Sequence, residues 1–249
     1  MLQGTIDTKT FKDFIDSINA IASECRLHIN ENEIYTSCVD PGGVGMVKSV
    51  CKKEVFSSFI ATPADIGISV AKLKTSIGSI TTKDCVVEFT ESSGRLSVAG
   101  GTNKYSMRVM AHETLRADPP KDPIDFFGML PTHLQIEGSA LAAAIRTVAA
   151  IGDKVVFNHV GGTHELNLYF EEDLETIQSG VDPSKIAVIK GTEDARTILP
   201  ADYIKSVAPI MTRADMVNAY IGNDMPAAFS MLINDSIEAT YIIAPRIAS

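Results

Sequence analysis

The chain has 249 residues, 45% of them hydrophobic, enough for one large or two ordinary domains with a sizeable core, which excludes wholesale disorder. Acidic residues outnumber basic ones 31 to 22, and the net charge of -9 excludes a general affinity for nucleic acid, leaving room only for a local cationic face. No apolar run approaches a membrane span, and Met1 to Asp7 does not read as a signal peptide, so a cytoplasmic protein is expected. The four cysteines, Cys25, Cys38, Cys51 and Cys85, all lie in the first half without C-x-x-C spacing; they read as reduced, buried thiols.

In chain order, Leu2 to Ile6 reads as a strand, and Asp7 or Thr8 can cap a helix whose apolar stripe is Phe11, Phe14, Ile15, Ile18 and Ala22. Lys9, Lys12, Asp13, Asp16 and Asn19 fall on its opposite face. Strands follow over 25–29, 34–39 and, past the turn Asp40-Pro41-Gly42-Gly43, 44–51. Residues 53–59 read as a short amphipathic turn, 66–70 as a strand, 71–80 as a helix, and 85–90, 95–99 and 105–111 as strands. From His112 the texture changes: three prolines and no periodicity predict an extended linker. The pattern then restarts, with a strand at 134–136, a helix from Ser139, a hairpin across Gly161-Gly162, strands at 174–179, 186–189 and 196–199, and a helix over 201–211. Three short β-prone runs close the chain as a meander, and Pro245 ends the last of them.

The two halves share this order at a spacing of 131 residues, Thr8 with Ser139, Phe14 with Ile145, Leu73 with Ile204, Asp84 with Asp215. This is an α+β reading of two similar domains, 1–111 and 132–249, joined by a linker over 112–131, each burying helices on a sheet face. No nucleophile elbow, phosphate loop or H-E-x-x-H motif is present, and catalytic residues are not expected. His159 and His164 flank a hairpin but lack a carboxylate or cysteine at ligand spacing; neither they nor Glu171-Glu172-Asp173 reads as a metal site, and no cofactor is expected. Lys9, Lys12, Lys72, Lys74, Arg146, Lys205 and Arg213 give each helix at least one cation on or beside its polar side. If all four helices share one surface, these form a diffuse lining for duplex phosphates without sequence reading.

Val39-Asp40 with Val44, Ile151-Gly152-Asp153 with Val155-Val156, Asp224-Met225-Pro226 and the ending Ala244-Pro245-Arg246-Ile247 resemble the sliding clamps of the proliferating cell nuclear antigen family, archaeal type. The resemblance covers essentially the whole chain. It implies a ring, here a homotrimer, of two-domain subunits with helices lining a hole around duplex DNA and sheets outside. It also implies a non-catalytic processivity factor that tethers DNA polymerase, clamp loader, flap nuclease and DNA ligase through short peptide motifs. The alternative is a duplicated α+β peptide-binding adaptor that never encircles DNA.

By this resemblance the partner peptide docks beside the linker against Val39, Val44, Met46 and the tail Ile243, Ala244, Pro245, Arg246 and Ile247. Pro226 would wall the pocket, and Ile124 would lie in extended backbone able to pair with the peptide. Subunits are expected to join by edge-strand pairing of 105–111 with 174–181 of the next copy. Lys104, Met107 and Arg108 would face Glu175 and Ile177, with Glu171, Glu172 and Asp173 nearby.

Overall fold

The structure is a computed structural model that describes residues 1–119, 122, 124–172 and 175–246, apart from the side chain of Ile124. The chain divides into two compact units. The first comprises Met1–Pro41, Val47–Pro119 and Ser236–Glu238; the second comprises Gly42–Met46 and, of the described residues, 122–235 and 239–246.

The first unit contains β1 (Leu2–Asp7), α1 (Thr8–Asn19), β2 (Glu24–Ile29), β3 (Glu33–Val39), most of β4 (Gly45–Lys52), β5 (Phe56–Ala61), β6 (Ala64–Ser69), α2 (Val70–Ile77), β7 (Asp84–Thr90), β8 (Arg95–Gly100) and β9 (Asn103–Arg108). One sheet runs β5-β1-β7-β8-β9, antiparallel throughout, and a second run of strands is ordered β4-β3-β2-β6. Leu2, Gly4 and Ile6 alternate inward along β1, as a strand with one buried face requires. On α1 the stripe Phe11, Phe14, Ile15 and Ile18 is buried. Asp7 caps that helix by accepting from the Thr10 N–H at 2.9 Å, and Thr8 is the first helical residue.

The second unit contains α3 (Ile124–Phe127), β10 (Thr132–Glu137), α4 (Gly138–Val148), β11 (Lys154–His159), β12 (Leu166–Glu172), β13 (Glu175–Gly180), β14 (Ile186–Lys190), β15 (Ala195–Pro200), α5 (Ala201–Met211), β16 (Met216–Ile221), β17 (Ala227–Ile233) and nearly all of β18 (Ile237–Ile243). Its strands run β13-β12-β11-β15 and β14-β10-β16-β17-β18. Fully buried Phe157 and Phe229, with ring centroids 5.8 Å apart, sit in its core with Tyr241.

The units repeat one plan, with a drift in the offset. The Thr8 N–H donates to Lys83 O in the first unit, and the Gly138 N–H to Asp215 O in the second. The offset is therefore 130 residues at the first helix (Thr8 to Gly138), 131 at the second (Val70 to Ala201) and 132 at the acceptor carbonyl (Lys83 to Asp215). A fixed spacing of 131 mismatches the first helix by one residue: Phe11, Ile15 and Ile18 correspond to Leu141, Ile145 and Val148, all buried. Gly138 is forced by close approach, since a Cβ there would stand 2.2 Å from Met211 O and 2.3 Å from Ala214 O.

Three local expectations are corrected. Residues 56–61 form strand β5 on an edge, behind the 3-10 turn Lys53–Val55, where a turn was expected. Asp13 and Asp16 are buried rather than on the solvated face, because α2 packs over that side of α1 and Lys74 Nζ stands 3.1 Å from Asp16 Oδ1. The linker is not wholly extended: α3 is a helical turn whose Phe127 stacks on Tyr220 at 4.2 Å between centroids. Before it, Leu115 O accepts from Arg26 at 3.0 Å, and Arg116 donates to Asp40 O at 2.8 Å.

Candidate functional site

The chain's final strand ends in a tethered tail inside the second unit. β18 stops at Ile243, whose side chain is 0% exposed and belongs to the core; it is not open to a docking peptide as the resemblance implied. Past it the Ala244 N–H donates to Val44 O at 2.8 Å, and the Arg246 N–H donates to Ile198 O at 2.8 Å. The Arg246 guanidinium also donates to Asp153 O at 3.1 Å and to the Asp153 carboxylate. That guanidinium holds the Asp153 carboxyl below its ordinary value. Val44, Met46, Ala244 and Pro245 are left half-buried, beside a tail whose backbone is fixed at two points.

Pro226 follows a loop knitted to the start of β15. Asn223 Oδ1 accepts from the Arg196 N–H at 2.8 Å, its amide nitrogen donates to Asp194 O at 3.1 Å, and the Asp224 N–H donates to Arg196 O at 2.9 Å. Thr197 Oγ1 donates to Met225 O at 2.7 Å. Asp224 takes a left-handed conformation, φ 52°, which aspartate tolerates better than most residues. Pro226 itself is half-buried.

The remaining docking candidates separate. Val39 is half-buried on β3 of the first unit. The Ile124 backbone opens α3, so it is helical and not the extended segment that strand pairing needs. Ile247 lies outside the described residues. Sequence reasoning missed Ile198 and Asn223 as anchors, and it saw Asp153 only as part of a motif. Nothing in the local pattern marks a carbonyl or an aspartate as the acceptor for a residue some 50 to 90 positions away.

The helix faces carry the expected cations. In the first unit Lys9, Lys12 and Lys72 are exposed, while Lys74 is half-buried against Asp16. In the second unit, where α4 packs on α5, Arg146 and Lys205 are exposed and Arg213 is half-buried just past α5.

β9 and β13 are each the outermost strand of their sheet. Lys104, Arg108 and Glu175 are exposed, and Ile177 is half-buried. Met107 points the other way: it is 9% exposed and opposes buried Leu96, so it is core, not contact surface. Glu171 and Glu172 are exposed, and Glu172 accepts from Lys154 at 3.2 Å; Asp173 lies outside the described residues.

His159 and His164 do not converge on a site. His159 Nδ1 is 2.9 Å from Glu165 O, and His164 Nδ1 is 2.8 Å from Ile186 O. Among the described residues no group of three or more His, Cys, Asp or Glu could hold a metal ion. All four cysteines are free and buried. Among the described residues no helix is long and apolar enough to cross a membrane.

No protein-family model matches the chain. Among curated proteins it is 32% identical over 251 residues to the DNA polymerase sliding clamp of Methanospirillum hungatei JF-1, covering 99% of each chain. It is 32% identical over 249 residues to that of Methanoculleus marisnigri, with the same coverage. The fold matches A. fulgidus PCNA, solved with the C-terminal region of FEN-1, at a TM-score of 0.87 and 22% identity over 100% of both chains. It matches PCNA from Thermococcus kodakaraensis at a TM-score of 0.82 and 16% identity, over 99% of this chain and 100% of that one. With the two-domain α+β clamp fold in place and relatives at 32% identity along nearly their whole length, this chain belongs to the DNA polymerase sliding clamp family.

Proposed function

We propose that the chain is a DNA sliding clamp: three copies close into a ring around duplex DNA, and each copy tethers replication and repair proteins through short peptides. The observation that carries this reading is the match to DNA polymerase sliding clamps along 99% of both chains, which does not favour an adaptor that never encircles DNA. In this reading residues 1–111 and 132–249 are the two clamp domains and 112–131 connects them. Lys9, Lys12, Lys72, Arg146, Lys205 and Arg213 meet phosphates as dispersed charges, so contact with DNA is weak, sequence-independent and salt-sensitive. Subunits join through β9 and β13, each an end strand of its sheet among the described residues. Lys104 and Arg108 meet Glu175 and its acidic neighbours, with Ile177 at the centre.

Partner peptides dock on Val44, Met46, Pro226 and the Ala244–Arg246 tail. The partners are a polymerase, a clamp loader, a flap nuclease and a ligase; the A. fulgidus relative, solved with the C-terminal region of FEN-1, supports the nuclease. The clamp performs no chemistry of its own. Size-exclusion chromatography with light scattering tests the assembly: a particle of three times 26.8 kDa is expected, and a monomer at micromolar concentration favours the adaptor.

A further inference from the structure

Cys25 lies on β2 and Cys38 on β3, two neighbouring antiparallel strands. His28 pairs with Tyr35 and Ile29 with Ile34, and the same count carried back along β2 and on along β3 sets Cys25 against Cys38. The alternation agrees: Cys25, Leu27 and Ile29 are buried on β2, as are Ile34, Thr36 and Cys38 on β3. Each thiol shifts the acidity of the other. Both also line one cavity of about 260 Å³ in the first unit, whose wall includes Arg26, Val39, Pro41, Leu115 and Arg116. Directly opposed strand positions bring Cβ atoms to about 4.5–5.5 Å, close to the separation a disulfide spans.

We propose that Cys25 and Cys38 form an oxidisable dithiol, which a hydroperoxide entering this cavity converts to an intramolecular disulfide. The thiolate of Cys38 attacks one peroxide oxygen; the S–O bond forms, the O–O bond breaks, and the leaving oxygen takes up the proton Cys38 released. The Cys25 sulfur then attacks the Cys38 sulfenic acid; the S–S bond forms, the S–O bond breaks, and hydroxide leaves with the Cys25 proton as water. Two thiols lose two electrons and the peroxide gains them.

The division of roles follows from the surroundings. Cys25 pulls the Cys38 thiol below its ordinary value, outweighing burial, which raises it. The Cys25 thiol is pushed well up by Cys38 and by burial, which suits the second, resolving position. Cys51, raised to about 12 by burial alone, is the internal control. The bond would lock β2 to β3 just before the turn that leads to Val44, and the inference stands independently of the clamp reading.

The test is hydrogen peroxide on the folded full-length protein, with free thiols then alkylated and peptides mapped by mass spectrometry. The expected product has lost two hydrogens, keeps two of its four thiols, carries one Cys25–Cys38 link and reverts with dithiothreitol. Cys38 should react roughly tenfold faster than Cys51. In Cys25→Ala the link should vanish and dimedone should trap a sulfenic acid on Cys38; Cys51→Ala should keep the link. Should Cys25→Ala not fold, the mapping of the unmodified chain decides alone. Disulfides joining two chains, oxidation of all four thiols at one rate, or survival of both thiols under peroxide that oxidises the unfolded chain would overturn the proposal.

Discussion

The backbone N–H of Ala244 donates to the carbonyl of Val44 at 2.8 Å, so the tail after β18 is registered against the segment that opens β4. Two stretches some 200 residues apart are thereby held as one surface within the second unit, and the half-buried Val44, Met46 and Pro245 become neighbours of a fixed backbone. A preformed surface binds without first being ordered, which favours affinity per contact.

Val44→Ala with Met46→Ala should therefore weaken a partner peptide by about 1–3 kcal/mol, roughly ten- to hundredfold. The register should survive, because the Val44 carbonyl is unaffected. Calorimetry with a C-terminal peptide of a flap nuclease measures this, and binding as tight as the unaltered chain would remove these residues from the site.

Arg246 should position the tail without stabilising the fold, because its contact with Asp153 is mostly exposed and such pairs contribute little, about 0–1 kcal/mol. Arg246→Ala should leave the melting temperature nearly unchanged while amide exchange at residue 246 speeds up. Arg246 holds the Asp153 carboxyl below its ordinary value of 3.8. Its contribution is therefore fully present above that value and is lost as the pH falls through the lower value in the folded protein. The protection of the residue 246 amide, its exchange rate relative to the intrinsic rate at the same pH, should fall on acidification in the unaltered chain and stay flat in Asp153→Asn.

The C-terminal meander was legible because Ala227 to Ile243 alternates around turn residues Asn234, Asp235 and Ser236, and the duplication because the same elements recur in order. The drift of the offset from 130 to 132 was not, since one-residue insertions in loops leave no periodic trace. Charge misled at Asp13 and Asp16: solvent is the default for a carboxylate, and only the packing of α2 on α1 buries them. The helical turn Ile124–Phe127 hid among prolines, where the Phe127–Tyr220 stack overrides local propensity. Ile243 and Met107 were read as surface because a strand's apolar residues do not announce which face is inward when the flanking pattern is mixed.

Lys74 has a structural duty at a buried carboxylate. Asp16 is 4% exposed and Lys74 reaches it at 3.1 Å, so Lys74→Met should lower stability by about 1–3 kcal/mol. Exposed Lys72→Met should cost less than about 0.5 kcal/mol. Denaturant unfolding compares them, and equal losses would contradict the distinction. Tests of DNA contact should therefore neutralise Lys12, Lys72, Arg146 and Lys205 and leave Lys74 in place.

Assembly should respond to charge at the two sheet edges. Lys104→Glu with Arg108→Glu should give monomers by light scattering, and adding Glu171→Lys with Glu175→Lys should restore the larger particle. Met107 is unsuitable for this purpose because a charge there enters the core. Trimers that persist with Lys104→Glu and Arg108→Glu alone would place the interface elsewhere.

The most direct measurement of the central claim is topological. The protein is loaded by a clamp loader onto a nicked circular duplex, separated from free protein by gel filtration in high salt, and the circle is then cut once. The clamp account predicts co-elution with the intact circle and release on linearisation, because only enclosure holds it when phosphate contacts are screened. Protein that stays on the linear duplex, or that never co-elutes with the circle, would contradict it.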